Sequence, residues 1–191
     1  MSDVIDRSSG AHVASGRVGT LMRRVGPWTF ALGVLAVVVS APPAQAAGNV
    51  CVAANGAVRH QSGSATCEAN GTGSVAVVHG ANSSAEAING DGNRSIVHGD
   101  NSRAYAGGGD SNTATVHGDE AYAGSGFGDG NTATATGEYS YALAINGDAN
   151  TATATGVGSH AQAGGGDGST ATAETDGCTA SAVGTGVSDS C

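Results

Sequence analysis

Evenly spaced aspartates are the side chains of this sequence best suited to hold a metal ion. They recur with a constant 19-residue period, at Asp91, Asp110, Asp129, Asp148 and Asp167. If successive copies stack, the carboxylates form a column, and Ca²⁺ between neighbours would offset their repulsion because it prefers carboxylate and carbonyl oxygens. The alternative is structural, since an aspartate can accept hydrogen bonds from backbone N–H groups of its own turn. The column therefore predicts either calcium as a cofactor or no cofactor at all.

Threonines form a second array with the same period. The residues are Thr113, Thr115, Thr132, Thr134, Thr136, Thr151, Thr153, Thr155, Thr170 and Thr172. Like-facing residues lie about 6.7 Å apart along a strand and about 4.8 Å apart between strands, so these hydroxyls would form a flat grid. The grid resembles the threonine faces of ice-binding solenoids, which implies binding to ice. The alternative is that threonine is simply a favourable exposed strand residue.

Histidines, asparagines and tyrosines supply further side chains that could contact a ligand or a partner. We expect His79, His98 and His117 to form a solvated ladder on one outward face, with a shared metal ion as the alternative. His60 lies one period earlier and would extend this column. An asparagine column from Asn93 to Asn150 is expected to be structural, with stacked amides bonded to each other, and contact with a ligand is the alternative. Exposed tyrosines would contact a protein or a glycan, and these are Tyr105, Tyr122, Tyr139 and Tyr141.

Catalytic motifs do not stand out in the sequence. We find no nucleophile elbow, phosphate-binding loop or zinc-protease motif. A catalytic site needs one unusual place, whereas repeated columns present the same groups again and again. We therefore expect a protein that is not an enzyme.

The period also predicts the elements that position these columns. Each copy holds two runs in which small apolar residues alternate with variable ones, and Gly and Asx residues separate the runs. In the first run Ala133 and Ala135 would point inward and Thr134 outward; in the second, Ala142 would point inward and Tyr141 outward. A fixed period without insertions indicates one coil per copy. We predict an all-β fold, a parallel β-solenoid of 19-residue coils with two short strands each.

Four segments are expected along the chain. Residues 1–46 have the pattern of a leader and secretory signal, with an apolar run at residues 28–39 and a small-residue cleavage site ending at Ala46. This run is too short for a spanning helix. No membrane span is expected in the mature chain either. Translation from Met22 instead of Met1 is an alternative. Residues 47–70 would form an N-terminal cap with a degenerate repeat, residues 71–183 the solenoid, and residues 184–191 a C-terminal cap tail.

The net charge of the chain indicates which partners are expected, and its cysteines indicate the cellular compartment. From residue 47 onward three arginines stand against fourteen Asp and Glu residues, a net charge of about −11, so nucleic acid is not an expected partner. Four cysteines flank the regular copies, and an even number in an exported chain predicts disulfides. Cys51–Cys67 and Cys178–Cys191 are the favoured pairs of three possible sets, because an extended solenoid separates its ends. Each bridge would staple a terminal coil.

A known family shares part of this pattern. Residues 73–87, GSVAVVHGANSSAEA, resemble the head repeats of trimeric autotransporter adhesins, and the likeness extends over about residues 71–183. The resemblance implies a parallel β-roll, a homotrimer and an adhesive role. The period here is longer, and the sequence shows neither a coiled-coil stalk nor an anchor barrel. Residues 128–133 are similar to glycine-aspartate repeats that bind calcium, but Thr132 stands where those carry another Asp.

The sequence as a whole predicts a secreted or cell-surface protein with a structural or adhesive role. Its solenoid faces would be presented to a surface protein or glycan whose identity the sequence does not give. The alternative is a ligand-binding solenoid, which would take ice on the threonine face or calcium on the aspartate column.

Overall fold

Strands and turns make up the described part of the chain. The structure, a computed structural model, describes residues 48–191, so the predicted leader and signal lie outside the described residues. Residues 48–191 contain no helix that is long and apolar enough to cross a membrane. The strands are β1 (Val50–Ala54), β2 (Ala57–Ser62), β3 (Thr66–Ala69), β4 (Val75–His79), β5 (Ser84–Ile88), β6 (Arg94–His98), β7 (Arg103–Gly107), β8 (Thr113–His117), β9 (Tyr122–Gly126), β10 (Thr132–Ala135), β11 (Tyr141–Ile145), β12 (Thr151–Ala154), β13 (His160–Gly164), β14 (Thr170–Ala173), β15 (Thr179–Val183) and β16 (Ser188–Ser190).

The strands form two sheets, and the chain alternates between them from β3 onward. The nine-stranded sheet has the order β16-β14-β12-β10-β8-β6-β4-β1-β2, and the seven-stranded sheet has the order β15-β13-β11-β9-β7-β5-β3. Each coil therefore contributes one strand to each sheet. The predicted parallel β-solenoid is confirmed.

Register between coils is constant through the regular copies. Thr132 of β10 pairs with Thr151 of β12, and Tyr141 of β11 pairs with His160 of β13, so the offset equals the sequence period in both sheets. Among the parallel pairs, the offset is shorter by a single position only at the ends, between β3 and β5 and between β14 and β16. Equal coil lengths place equivalent residues above one another, so each sequence column becomes a physical column.

Small side chains fill the space between the sheets. The predicted inward positions of both runs are buried, for example Ala133 and Ala142 with no exposed surface, while Thr134 and Tyr141 are only half-buried on the outside. The largest apolar side chains that are fully buried are Val78, Val97 and Val116. Alternation therefore assigns the inward and outward positions of these copies correctly.

The N-terminal segment follows a different course from the copies. β1 runs antiparallel to both β2 and β4, so a hairpin covers the first edge of the nine-stranded sheet. His60 lies on β2 opposite Val52, whereas Val50 of β1 lies opposite His79. The prediction that His60 extends the histidine column is therefore wrong, because β1 lies between β2 and β4 and its register places His60 in line with Val77 instead of His79. β3 joins the seven-stranded sheet beside β5 in parallel orientation.

Both predicted disulfides are present, one near each end of the solenoid. Cys51 of β1 bonds to Cys67 of β3, with 5.7 Å between their Cα atoms. Cys178, just before β15, bonds to Cys191, just after β16, with 6.2 Å between their Cα atoms. Each bridge links the two sheets near one end of the stack of coils. Cross-links of this kind stabilise a fold chiefly by limiting the freedom of the unfolded chain.

Candidate functional site

The aspartate column lies at one corner of the coil, where each carboxylate bonds to the neighbouring coil. The Asp129 Oδ1 atom accepts the backbone N–H of Asp110 at 2.7 Å, and Asp148 Oδ1 accepts that of Asp129 at 2.8 Å. The first and last members, Asp91 and Asp167, do the same for Thr72 and Asp148, respectively. The partner is one coil away, in contrast to the expected bond within the same turn.

These bonds give the aspartates a structural role. They use only Oδ1, and the aspartate side chains, which also carry Oδ2, are exposed. Residues 48–191 contain no group of three or more His, Cys, Asp or Glu side chains arranged to hold a metal ion. Calcium binding between coils stays a prediction. One carboxylate oxygen of each aspartate is already engaged by a backbone donor.

Asparagines form a buried column beside the aspartates. Asn112 Oδ1 accepts the N–H of Asn131 at 3.0 Å, and Asn131 Oδ1 accepts the N–H of Asn150 at 2.9 Å. These amides bond to the backbone of the following coil, so the expected bonds between stacked amides are not what holds the column. Because the aspartates accept from the preceding coil, every turn at this corner is bonded in both directions.

The opposite corner carries columns that the sequence-based prediction did not include. Asp100 Oδ1 accepts the N–H of Ala81 at 2.6 Å, and Asp119 Oδ1 accepts that of Asp100 at 2.8 Å. Buried Ser102 Oγ accepts the N–H of Ala121 at 3.2 Å, which parallels the asparagine bonds. Glu138 interrupts this aspartate column in the next copy. Asp100 and Asp119 are one period apart in the sequence, but two consecutive members do not stand out as a column.

Corner glycines are required by the close approach of coils. Gly99 has a φ of 152°, and a Cβ atom there would overlap the carbonyl oxygen of Gly118 in the next coil. The glycine column at this period is therefore a consequence of the stacking distance and has no chemical role of its own.

The outward face of the nine-stranded sheet carries the threonine grid and the histidines. Thr113, Thr132, Thr151 and Thr170 lie in one column, and Thr115, Thr134, Thr153 and Thr172 lie in the next, all of them half-buried. Thr136 and Thr155 lie just beyond the strand ends and are exposed. The structure thus brings together all ten threonines predicted as a binding face.

Three imidazoles continue this face towards the N-terminal end. The rings of His79 and His98 stack with centroids 5.0 Å apart and planes 3° from parallel, and His98 and His117 stack at 5.0 Å and 2°. Partial burial, together with the neighbouring imidazoles of His117 and His79, lowers the pKa of His98. The lowered pKa favours the neutral imidazole, because a charged ring in the middle of the stack would be less hydrated and would face two ionisable neighbours.

The outward face of the seven-stranded sheet carries an aromatic stack. Tyr122 and Tyr141 stack with centroids 5.1 Å apart, and Tyr141 and His160 stack at 4.7 Å. The Tyr122 ring extends along its own strand over Gly124, where a Cβ atom would stand 3.0 Å from the phenol oxygen. Glycine at this position therefore makes room for the ring.

The two other predicted contact tyrosines lie in different places. Tyr105 is on β7, on the same face as Tyr122, and is half-buried. Tyr139 lies at a corner with a φ of 57°, where the carboxylates of Glu120 and Glu138 raise its pKa. Three of the four tyrosines thus share one face, and Tyr139 is separate from them.

Charged groups near the aromatic stack are few. Arg103 Nη2 and Glu86 Oε1 form an ion pair at 2.8 Å beside Tyr122. Burial raises the pKa of the Tyr122 phenol, and the neighbouring Tyr141 adds to this effect. Burial also raises the pKa of Tyr141. Both phenols are therefore neutral hydrogen-bonding groups at physiological pH.

Comparison with family models, with curated proteins and with solved structures finds no match. The function must therefore be argued from the corners and faces described above.

Replacing Asn131 tests the bonds between coils. In Asn131→Ala the buried N–H of Asn150 loses its acceptor, which we expect to lower the free energy of unfolding by about 1–3 kcal/mol. Asn131→Ser is the matched control, because the hydroxyl of Ser74 already accepts the N–H of Asn93 in the same column. Urea unfolding followed by circular dichroism measures both. Equal stability of the Ala and Ser variants would contradict this role of the amide oxygen.

Proposed function

We propose that this protein is a secreted or cell-surface, non-enzymatic solenoid with a structural or adhesive role. It binds a surface protein or a glycan through an outward sheet face. The observation that carries the proposal is the stack of Tyr122, Tyr141 and His160 on the seven-stranded sheet. The two disulfides support an oxidising, extracellular location, because such bonds persist mainly outside the reducing cytosol.

The aromatic stack has the chemistry of a recognition surface. Rings stacked along the coil axis turn their edges, and not their faces, towards solvent. Tyrosine combines a large apolar body with a hydroxyl that donates and accepts hydrogen bonds, which is why it is enriched in protein interfaces. Stacking on neighbours also fixes the rings in place, so binding would cost little additional side-chain entropy.

Neighbouring residues extend this surface in two directions. Tyr105 lies one coil before Tyr122 on the same sheet, and half-buried Leu143 lies on β11 with Tyr141. The Arg103–Glu86 ion pair adds one charge of each sign at the N-terminal side. A partner with apolar patches and hydroxyl or amide groups fits this face.

Substitution of two tyrosines tests the adhesive face. We expect the wild-type protein to bind members of a glycan array or of a panel of purified extracellular-matrix proteins. Tyr122→Ser with Tyr141→Ser should weaken that binding by about tenfold or more, because interface tyrosines commonly carry much of the binding energy. The far-ultraviolet circular dichroism spectrum should not change, since both side chains point outward.

Thr153→Ser on the other sheet is the control and should bind like wild type. Binding that survives the tyrosine substitutions would show that this face is not used. No binding to either panel would count against the adhesive role itself.

A homotrimer is the second part of the proposal. Val52, Val77 and Ile96 form one half-buried apolar column on the nine-stranded sheet, next to the threonine grid. In the adhesin heads that the sequence resembles, three chains associate. Contact between copies through this column would remove its apolar surface from water.

Light scattering on the purified protein measures the solution mass directly. We expect three chains for the wild type and a smaller assembly for Val77→Asp, because the substitution would place three carboxylates in the proposed interface. Thr134→Asp introduces the same charge in the same column outside the apolar part and should leave the mass unchanged. A wild-type monomer would rule out the trimer.

Ice binding is a second candidate function, favoured by the eight threonines that lie in two adjacent in-register columns. The constant register between coils places their hydroxyls and methyl groups in a repeating two-dimensional pattern. Such a pattern can match an ordered water lattice in a way that a surface with irregular spacing cannot.

Thermal hysteresis distinguishes this candidate from the adhesive one. If the grid binds ice, the wild type should show hysteresis, and Thr134→Tyr should remove most of it because a bulky ring interrupts the flat surface. Gln162→Tyr on the seven-stranded sheet is the control and should retain it. Hysteresis that is absent in the wild type excludes ice binding.

A further inference from the structure

The histidine column has the composition of a metal site. His79, His98 and His117 end three successive strands of the nine-stranded sheet, and all three side chains are exposed. Imidazole nitrogen is a preferred ligand of Zn²⁺, Cu²⁺ and Ni²⁺ and a poor ligand of Ca²⁺. The column therefore differs in chemistry from the aspartate corner.

Two of the three histidines have a carboxylate close by in the sequence. Asp100 and Asp119 follow His98 and His117 by two residues, but one oxygen of each carboxylate accepts a backbone N–H of the preceding coil. Because Ala81 follows His79 at the same distance, the imidazole nitrogens are the ligand groups that all three positions share, and water would complete the coordination of the ion.

Ring spacing limits how many histidines can share one ion. Because neighbouring rings are parallel with centroids 5.0 Å apart, their equivalent nitrogens are separated by a similar distance. Metal–nitrogen bonds of about 2.0–2.1 Å require two ligand nitrogens to lie within about 4.2 Å of each other. A tilt of two exposed rings towards each other closes this gap. His79 and His117 are two coils apart, about 10 Å, and cannot both bind the same ion.

We propose that adjacent imidazoles of this column bind a divalent transition-metal ion as a two-histidine surface site, with His98 shared between two alternative pairs. One pair is His79 with His98, and the other is His98 with His117. The constant register of β4, β6 and β8 creates both pairs with the same geometry. The site lies on the sheet opposite the aromatic stack, so it is independent of the adhesive proposal.

The position of His98 makes the proposal testable with three single substitutions. His98→Ala leaves no adjacent pair, whereas His79→Ala and His117→Ala each leave one pair intact. We expect His98→Ala to lower the affinity for Ni²⁺ and Zn²⁺ by about tenfold or more, because the second ligand of a chelate acts at high effective concentration. Each terminal substitution removes one of two equivalent pairs and should reduce the affinity by about twofold.

Isothermal titration calorimetry of the disulfide-intact protein, purified without a histidine tag, measures these affinities with NiCl₂ and ZnCl₂. Unchanged circular dichroism spectra verify that the variants fold. Cu²⁺ electron paramagnetic resonance should show two coordinated imidazole nitrogens in wild type and in His117→Ala, and one or none in His98→Ala. Equal loss in all three variants, or wild-type affinity in His98→Ala, overturns the two-histidine site. No Ni²⁺ or Zn²⁺ binding by the wild type also overturns it.

Discussion

Hydrogen bonding between stacked coils is the interaction on which the rest of the structure depends. Each coil must present its backbone donors and acceptors at the height of its neighbours, and a constant offset of one sequence period achieves this in both sheets. The interior between the sheets is filled largely by alanine, and burial of one methyl group contributes only about 0.8 kcal/mol. The backbone ladders and the buried polar columns must therefore share the stabilisation with a thin apolar core.

Polar side chains at the corners extend the same bonding beyond the strands. Turns leave backbone N–H groups without a ladder partner, and a buried donor without an acceptor is costly. Asp129 accepts from the coil before it, and Asn131 accepts from the coil after it. The aspartate and asparagine columns thus both have a structural role in holding the coils together.

Ring stacking on those faces is itself a consequence of the register. When the same outward position carries a ring in successive coils, the rings are held at about the strand spacing, and the centroid distances of 4.7–5.1 Å follow. Outward positions are not constrained by the core, so they differ between the sheets. One face combines threonines with imidazoles, and the other combines tyrosines with His160. The two faces therefore present different chemical groups.

The sequence by itself determined the alternation within the strands of the regular copies and the length of each coil. Alternation identified Ala133 as inward and Thr134 as outward, and the period gave the number of residues in each coil. The separation of the solenoid ends favoured the pair Cys51–Cys67 over its alternatives. Only the tertiary structure decided which coil each corner side chain bonds to, because a column has two neighbours and its spacing does not distinguish them. It also decided that the antiparallel strand β1 separates His60 from the histidine column and that Tyr139 lies apart from the aromatic stack. Chain direction and corner geometry depend on contacts between distant residues, and no local period contains that information.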